Sequence, residues 1–258
     1  MASAELRFSD SVERCFRSSA AAYERGATLQ TAVAQRLGKL SKALLAADCP
    51  AGPRADLGAG TGLLASSIEA RIGGPQLLRL DACEALLDQE APRQAPAPRL
   101  RWDLNQGLPQ ALQGAALLAS SFALQWLERP AAQLGHWCDA LSPGGALLLA
   151  VPCQGSFALW HQSAKQADVP CTALALPEAV ELIQQAERSL ELLHCRQLRF
   201  SRANPGALAF LHQIKGIGAH ASRAPRLQPG QLRRLSRHWP GPEQAIVWHV
   251  LVLVGRKR

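Results

Sequence analysis

The sequence predicts an α/β fold, a parallel sheet with helices on both faces, on three observations. Strand-like apolar runs alternate with helical patterns between residues 54 and 151. A glycine loop, "LGAGTG" at 57–62, joins the first such strand to the first such helix. The closing "AIVWHVLVLVGR" (245–256) is the strongest strand signal in the chain. A length of 258 residues with 48% hydrophobic content suits one domain, read here as 1–258. Within it, 1–50 form N-terminal helices, 51–151 a ligand-binding core, and 152–258 further inserts and the last two strands.

Residues 10–24 and 28–46 predict two helices. In the second, Val33, Leu37, Leu40, Leu44 and Leu45 recur at helical spacing, and "DCPAGP" (48–53) stops it. A short strand at 54–57 feeds the glycine loop, although "GPRADL" offers it only Ala55 and Leu57 as apolar residues. "LLASSIEARI" (63–72) carries a helical pattern, "PQLLRLD" (75–81) is the second strand, and "ACEALLDQE" (82–90) the next helix. The proline-rich "APRQAPAPR" (91–99) reads as loop. "LRWDL" (100–104) and "GAALLASS" (114–121) give strands three and four. A helix over 130–141 ends at a loop, "SPGG", ahead of strand five, "ALLLAV" (146–151). Helices at 155–167 and 177–188 follow, then a strand "LELLHCRQLRF" (190–200) and a helical insert over 205–239.

The chain has no apolar run of membrane-spanning length and no secretory leader pattern at its start. Seven scattered cysteines without a Cys-x-x-Cys pair point to reduced thiols in the cytoplasm, and no His/Cys spacing suggests a metal. The net charge of +8 is uneven. Residues 188–258 hold thirteen Lys/Arg against Glu191 and Glu243 alone, whereas the preceding 187 residues are slightly acidic. Such asymmetry implies either an acidic partner or simply a solvated face.

The loop Gly58-Ala59-Gly60-Thr61-Gly62 is G-x-G-x-G rather than the dinucleotide G-x-G-x-x-G, and no Gly-Lys-Ser/Thr follows to make a phosphate loop. Asp56 precedes it by two residues. Asp81 lies 19 residues past Gly62, at the end of the second strand, and Asp103 follows the third. Asp81 can accept both hydroxyls of a ribose, Asp103 the exocyclic amine of an adenine, and Asp56 a cationic head. Each alone reads equally as a cap or a solvated loop residue. Together they suit a positively charged nucleoside without phosphate, S-adenosylmethionine, with Leu104 and Ser120 completing its site.

This combination resembles the class I S-adenosylmethionine-dependent methyltransferases, whose fold is a seven-stranded, mostly parallel sheet with a reversed last strand. Several segments resemble one branch in particular, the malonyl-acyl-carrier-protein O-methyltransferases of biotin synthesis, the BioC family. The opening "CFRSSAAAYERGATLQ" is similar to that family's N-terminal pattern at Phe16, Tyr23, Ala27 and Gln30. "SSFALQWL" (120–127), "LSPGGALLLAVPCQGSFALWHQ" (141–162), "FLHQIKGIGAH" (210–220) and the ending "WHVLVLVGR" continue the resemblance nearly end to end. Three positions depart from it: Ala59 for a loop cysteine, Leu159 for a glutamate two residues before His161, and Trp248 for a tyrosine.

The resemblance implies methyl transfer to the free carboxylate of malonyl-acyl carrier protein, or malonyl-coenzyme A, at the start of pimeloyl and biotin synthesis; the alternatives are another class I methyltransferase acting on a small molecule or quinone, or a non-methylating assembly factor on the same fold. A carboxylate with pKa about 4 is already ionised at neutral pH, so no general base is required. A cation is expected to hold it: Lys215 first, unless it is an ordinary solvent-facing lysine, with Arg199 as the alternative. Tyr23 is expected either as a lid over the methyl donor or as a core tyrosine. Trp126 lies where the pocket should open or else packs in the core, and His161 completes the catalytic set. In "QLRRLSRHW" (231–239), Leu232, Leu235 and Trp239 face inward and Arg233, Arg234 and Arg237 outward, a surface suited to an acidic acyl carrier protein. Nucleic acid, a membrane and a second copy are not expected as partners.

Overall fold

A computed structural model describes residues 7–45, 50–90 and 96–258. The first six residues, 46–49 in the predicted stop after the second helix, and 91–95 of the predicted proline-rich loop lie outside these described residues. Seven strands form one sheet in the order β3-β2-β1-β4-β5-β7-β6. β1 (Arg54–Leu57), β2 (Leu78–Asp81), β3 (Arg99–Arg101), β4 (Ala115–Ser121) and β5 (Leu141–Pro152) are parallel. β7 (Ile246–Lys257) runs antiparallel to both β5 and β6 (Leu190–Arg202).

The short β1 sits in the middle of this sheet, with Ala55, Asp56 and Leu57 all buried. It breaks the apolar rule for a central strand because Asp56 is spent on the site at its C-terminal end. Its neighbours are β2 on one side and β4 on the other, so the order reverses here and a crevice opens beyond the carboxyl ends.

Alternation along β4 serves two cores. Leu117 and Ala119 pack under α3 (Thr28–Leu45) and α4 (Leu63–Ile72), against Leu37 and Ile68. Ala115 and Leu118 pack on the other face under α6 (Pro130–Ala140) and α8 (Ala179–Glu187), against the fully buried Trp137 and Leu182.

Two expectations need correction. Strand five begins at Leu141 rather than at 146, so "SPGG", which stops the helix as expected, falls within β5 as an irregularity in the register against β4 between Ala115 and Leu117. The insert at 205–239 is two helices, α9 (Ala207–Gly216) and α10 (Pro229–Arg237), because "GIGAHASRAP" between them cannot continue a helix.

The remaining helices cover the crevice. α1 (Phe8–Ser19), a single 3₁₀ turn (Ala20–Ala22) and α2 (Tyr23–Gly26) replace the one helix expected over 10–24. Phe16, Ala20 and Tyr23 pack there on Cys83 and Leu86, the latter in α5 (Glu84–Leu87). α7 (Ala158–Gln166), α9 and α10 enclose a third cluster built on Trp160, Phe210 and Trp239. Leu159, at the position expected to carry glutamate, is buried in that cluster, which explains why a charge is absent there.

Candidate active site

The crevice beyond β1 and β4 is a cleft of about 950 Å³. Gly58 and Gly60 line it with φ of 71° and 57°, a left-handed conformation that side chains resist. Gly58 has a second reason to be glycine, since a Cβ there would lie 2.2 Å from the Ala123 methyl. Gly62 is a correction. It does not line the cleft but precedes α4 with φ 77°, and a Cβ there would strike the Glu90 carboxylate at 2.8 Å. Glu90 is itself held by the fully buried Arg79, at 2.9 Å, which also pairs with Glu69. Gly62 therefore serves the packing behind the loop.

Asp81 fixes the front of the same loop. One carboxylate oxygen accepts from the Gly60 N–H and the other from the Cys83 N–H, each at 2.8 Å. Burial raises its pKa, against the lowering effect of those two bonds. Asp56 is more isolated. It accepts one bond, from the Ala65 N–H at 3.0 Å, while its Oδ1 is buried without a partner. Burial pushes its pKa up to about 7. Asp103 lines the cleft and also accepts from the Asn105 N–H at 2.9 Å, so the capping and ligand-facing readings both apply to it. Leu104 lies beside it in the cleft wall.

Ser120 belongs elsewhere. It is fully buried and donates to the Leu57 carbonyl of the neighbouring β1 at 2.8 Å, whereas Ser121 lines the cleft with a buried, unpartnered hydroxyl. Adjacent strand residues face opposite sides, so a one-residue displacement changes the assignment completely.

The cleft's charge is one-sided. Glu13, Asp56, Asp81 and Asp103 line it, and among the described residues no Lys or Arg does. Such a lining repels a pyrophosphate and attracts a cation. Asp56 Oδ1, Thr61 Oγ1 and Ser121 Oγ are lining atoms left without hydrogen bonds. Acidic groups, open acceptors and a glycine cradle fit S-adenosylmethionine, which brings an ammonium, a sulfonium, two ribose hydroxyls and an adenine amine. No group of three or more His, Cys, Asp or Glu side chains is placed to hold a metal among the described residues.

A second pocket, about 670 Å³, adjoins the first. The two share Phe16, Tyr23, Gln30, Phe122 and Trp126. Trp126 meets the Phe16 ring edge-on at 5.5 Å between centroids, so it is both wall and packing. Tyr23 is half-buried at the junction, and desolvation, reinforced by Asp81, raises its pKa so that the phenol stays protonated. Beyond the junction, Phe157, Trp160, Leu174, Ile217 and Trp248 give an apolar wall. Its polar groups are uncharged. They include Gln125, whose Oε1 is buried without a partner, and Trp160, whose indole N–H is in the same condition.

Three expected residues are absent from both linings. Lys215 is exposed on α9, and only its carbonyl engages the site's framework, accepting from the Ser19 hydroxyl at 2.9 Å. Arg199 is exposed on β6 opposite His249. His161 is exposed on α7, with Nδ1 3.4 Å from the Cys171 sulfur. The expected cation is therefore missing from the pocket among its described lining residues. The "KGIGA" segment contributes Ile217 and Ala219 instead. Its Gly218, at φ 74°, admits α1 so closely that a Cβ would lie 2.8 Å from the Phe16 Cα. Residues that sequence reasoning did not place in the site are Ser121, Gln30, Phe16 and Trp160. Gln30 and Phe16 carried a signal, since both belong to the N-terminal resemblance.

No family model matches the chain. A solved structure of a putative methyltransferase from Bacillus halodurans shares its fold, with a TM-score of 0.58 at 12% identity over 84% of this chain and 97% of that one. The biotin biosynthesis bifunctional protein BioCD of Bordetella avium is 32% identical over 89% of this chain and 48% of its own length. The malonyl-[acyl-carrier protein] O-methyltransferase of Methylococcus capsulatus is 29% identical over 71% of this chain and 66% of its own. The chain has the class I methyltransferase fold and is similar in sequence to the BioC proteins. It spans about half of the first relative's length and about two thirds of the second's. No helix among the described residues is long and apolar enough to cross a membrane.

Proposed function

We propose that the chain methylates the free carboxylate of a malonyl thioester, carried on an acyl carrier protein or on coenzyme A, to give the methyl ester used in biotin synthesis. The reading is supported by the relatives' names and by one observation above others. An acidic cleft suited to a cationic nucleoside meets an uncharged pocket at Tyr23, Gln30 and Trp126. Asp56 would take the donor's ammonium, Asp81 the ribose hydroxyls and Asp103 the adenine amine. S-adenosylmethionine, when bound, supplies an electrophilic methyl on a cationic sulfur.

The missing cation has a physical rationale. Methyl transfer to a carboxylate removes a negative charge from the acceptor, so a fixed Lys or Arg would stabilise the starting carboxylate more than the transition state. A wall of Phe157, Trp160, Ile217 and Trp248 instead leaves the carboxylate poorly solvated and reactive. Tyr23, held as a neutral phenol, and the Gln30 amide can orient one oxygen by hydrogen bonds without neutralising it. No proton has to move in the step.

The test is methyl transfer to malonyl-carrier protein, malonyl-coenzyme A and acetyl-carrier protein, followed by appearance of the methyl ester. Transfer to malonyl substrates and none to acetyl supports the reading. Equal labelling of all three, or none of the malonyl substrates, overturns it.

A further inference from the structure

The acceptor pocket has a second way out. It shares Gln30, Ile214, Ile217 and Trp248 with a third opening of about 830 Å³, and Gln30 lines all three cavities. This opening lies between the α2–α3 junction at Gly26, Thr28 and Leu29, the end of β6 at Phe200, Ser201 and Arg202, and α9. Gly26, Thr28, Arg202 and Gln213 are exposed at its mouth. Gly26 has no room for a side chain, as a Cβ would lie 2.5 Å from the Ile217 side chain, so the two walls touch there.

Resting on the carboxyl reading above, we infer that the acyl substrate reaches the junction through this third opening, as an extended, amide-bearing thioester arm whose phosphate lies at Arg202. Three observations carry it. The donor cleft is the wrong route, because a malonyl carboxylate entering there would pass Glu13, Asp56, Asp81 and Asp103. α1 also spans that side, tied to β3 by Glu13 and Arg101 at 3.4 Å. The pocket and third opening alternate apolar walls with uncharged polar groups: Thr28, Gln30, Ser201 and Gln213, with the unpartnered Gln125 Oε1 and Trp160 N–H deeper in. That pattern matches a chain of methylenes and amides, which needs donors and acceptors but no counter-ion. Arg202 is the one charged side chain lining either cavity among the described residues, and it is exposed at the outer end. A small free acid would use none of this length.

The experiment compares two variants, Gln213→Trp to narrow the mouth and Arg202→Glu to reverse its charge. Both sites are exposed, and thermal melting verifies folding. Each is assayed on malonyl-carrier protein, malonyl-coenzyme A and malonyl-N-acetylcysteamine, a short thioester without phosphate. S-adenosylmethionine affinity is measured by calorimetry. Gln213→Trp is expected to lower kcat/KM about tenfold or more on the two long substrates, while the short one and donor affinity stay within about twofold. Arg202→Glu is expected to raise KM for the phosphate-bearing substrates alone. A loss on only one long substrate identifies the carrier or the coenzyme as the arm's source. Equal loss on short and long substrates, or no loss on any, overturns the route. If the unaltered protein methylates no malonyl thioester, the carboxyl reading fails by itself. The route is then decided by calorimetry with pantetheine 4′-phosphate: weaker binding to both variants upholds it, and unchanged or absent binding ends it.

Discussion

Asp56 concentrates the residue-scale physics of this site. Its carboxyl is fully buried, accepts a single backbone bond and has a pKa pushed up to about 7 by burial. A folded-state pKa above the unfolded value near 3.9 means that stability is complete below pH about 4 and is lost as pH rises through about 7. The upper bound on that loss is about 4 kcal/mol. Asp56→Asn should flatten the dependence, so that its melting temperature gains on the parent between pH 5 and pH 8 while donor affinity falls. Parallel melting curves across that range would refute the buried-charge account. Asp81 has a different double role, because its oxygens hold the Gly60 and Cys83 amides as well as facing the ligand. Asp81→Ala should therefore abolish donor binding by calorimetry and also cost about 1–3 kcal/mol in denaturant melts. Lost affinity at unchanged stability would mean that the loop does not depend on it. That Asp56, Gly58, Gly60, Asp81 and Asp103 gather at one cleft was legible from spacing alone, since strand ends and glycines recur in a fixed order. Ser120 was misplaced by one residue, and no short-range signal tells which of two adjacent serines faces the cleft. Lys215 is the solvent-facing lysine that its sequence reading held open beside the cation role.

Elements were legible wherever periodicity was strong. α4 and β4 fall where 63–72 and 114–121 predicted them, to within a residue, while β1 falls at 54–57 on the strength of the glycine loop it feeds and not of its own pattern. The N-terminal segment was not, because its break into α1, a 3₁₀ turn and α2 answers to packing on Cys83 and Leu86 rather than to a local breaker. "KGIGA" is the instructive case. The resemblance offered its Lys215 as the cation for the carboxylate, but that side chain is exposed and the segment serves as a ledge for α1. The two glycines differ sharply. Gly218 has φ 74° and backs onto the Phe16 main chain, whereas Gly216 is the last residue of α9 with open space around it. Gly218→Ala should cost about 1–3 kcal/mol and loosen α1, weakening donor affinity. Gly216→Ala should be neutral or stabilising by up to about 1 kcal/mol. Chemical denaturation of both variants decides it, and equal effects would remove the ledge interpretation.

At the scale of the whole molecule, charge is sorted along the path of the proposed reaction. Carboxylates line the donor cleft, the acceptor pocket is uncharged, and the basic groups gather in the C-terminal quarter of the chain. α10 displays that excess most clearly. Leu235 and Trp239 are buried and Leu232 is half-buried, while Arg233, Arg234 and Arg237 are exposed, so 231–239 is amphipathic in three dimensions with Leu232 at the edge of its inner face. We propose this face as the docking surface for an acidic carrier. Exposed charges of this kind raise the encounter rate and act over about 8–10 Å at moderate ionic strength. They add little to folding stability. Replacing all three arginines by glutamate should leave the melting temperature nearly unchanged and raise KM for malonyl-carrier protein by about tenfold or more, with a much smaller effect on malonyl-coenzyme A. In the parent protein, kcat/KM for the carrier substrate should fall with added salt, and the triple variant should lose most of that slope. A parallel rise in KM for both substrates, or a salt slope that survives charge reversal, would place the carrier elsewhere on the molecule.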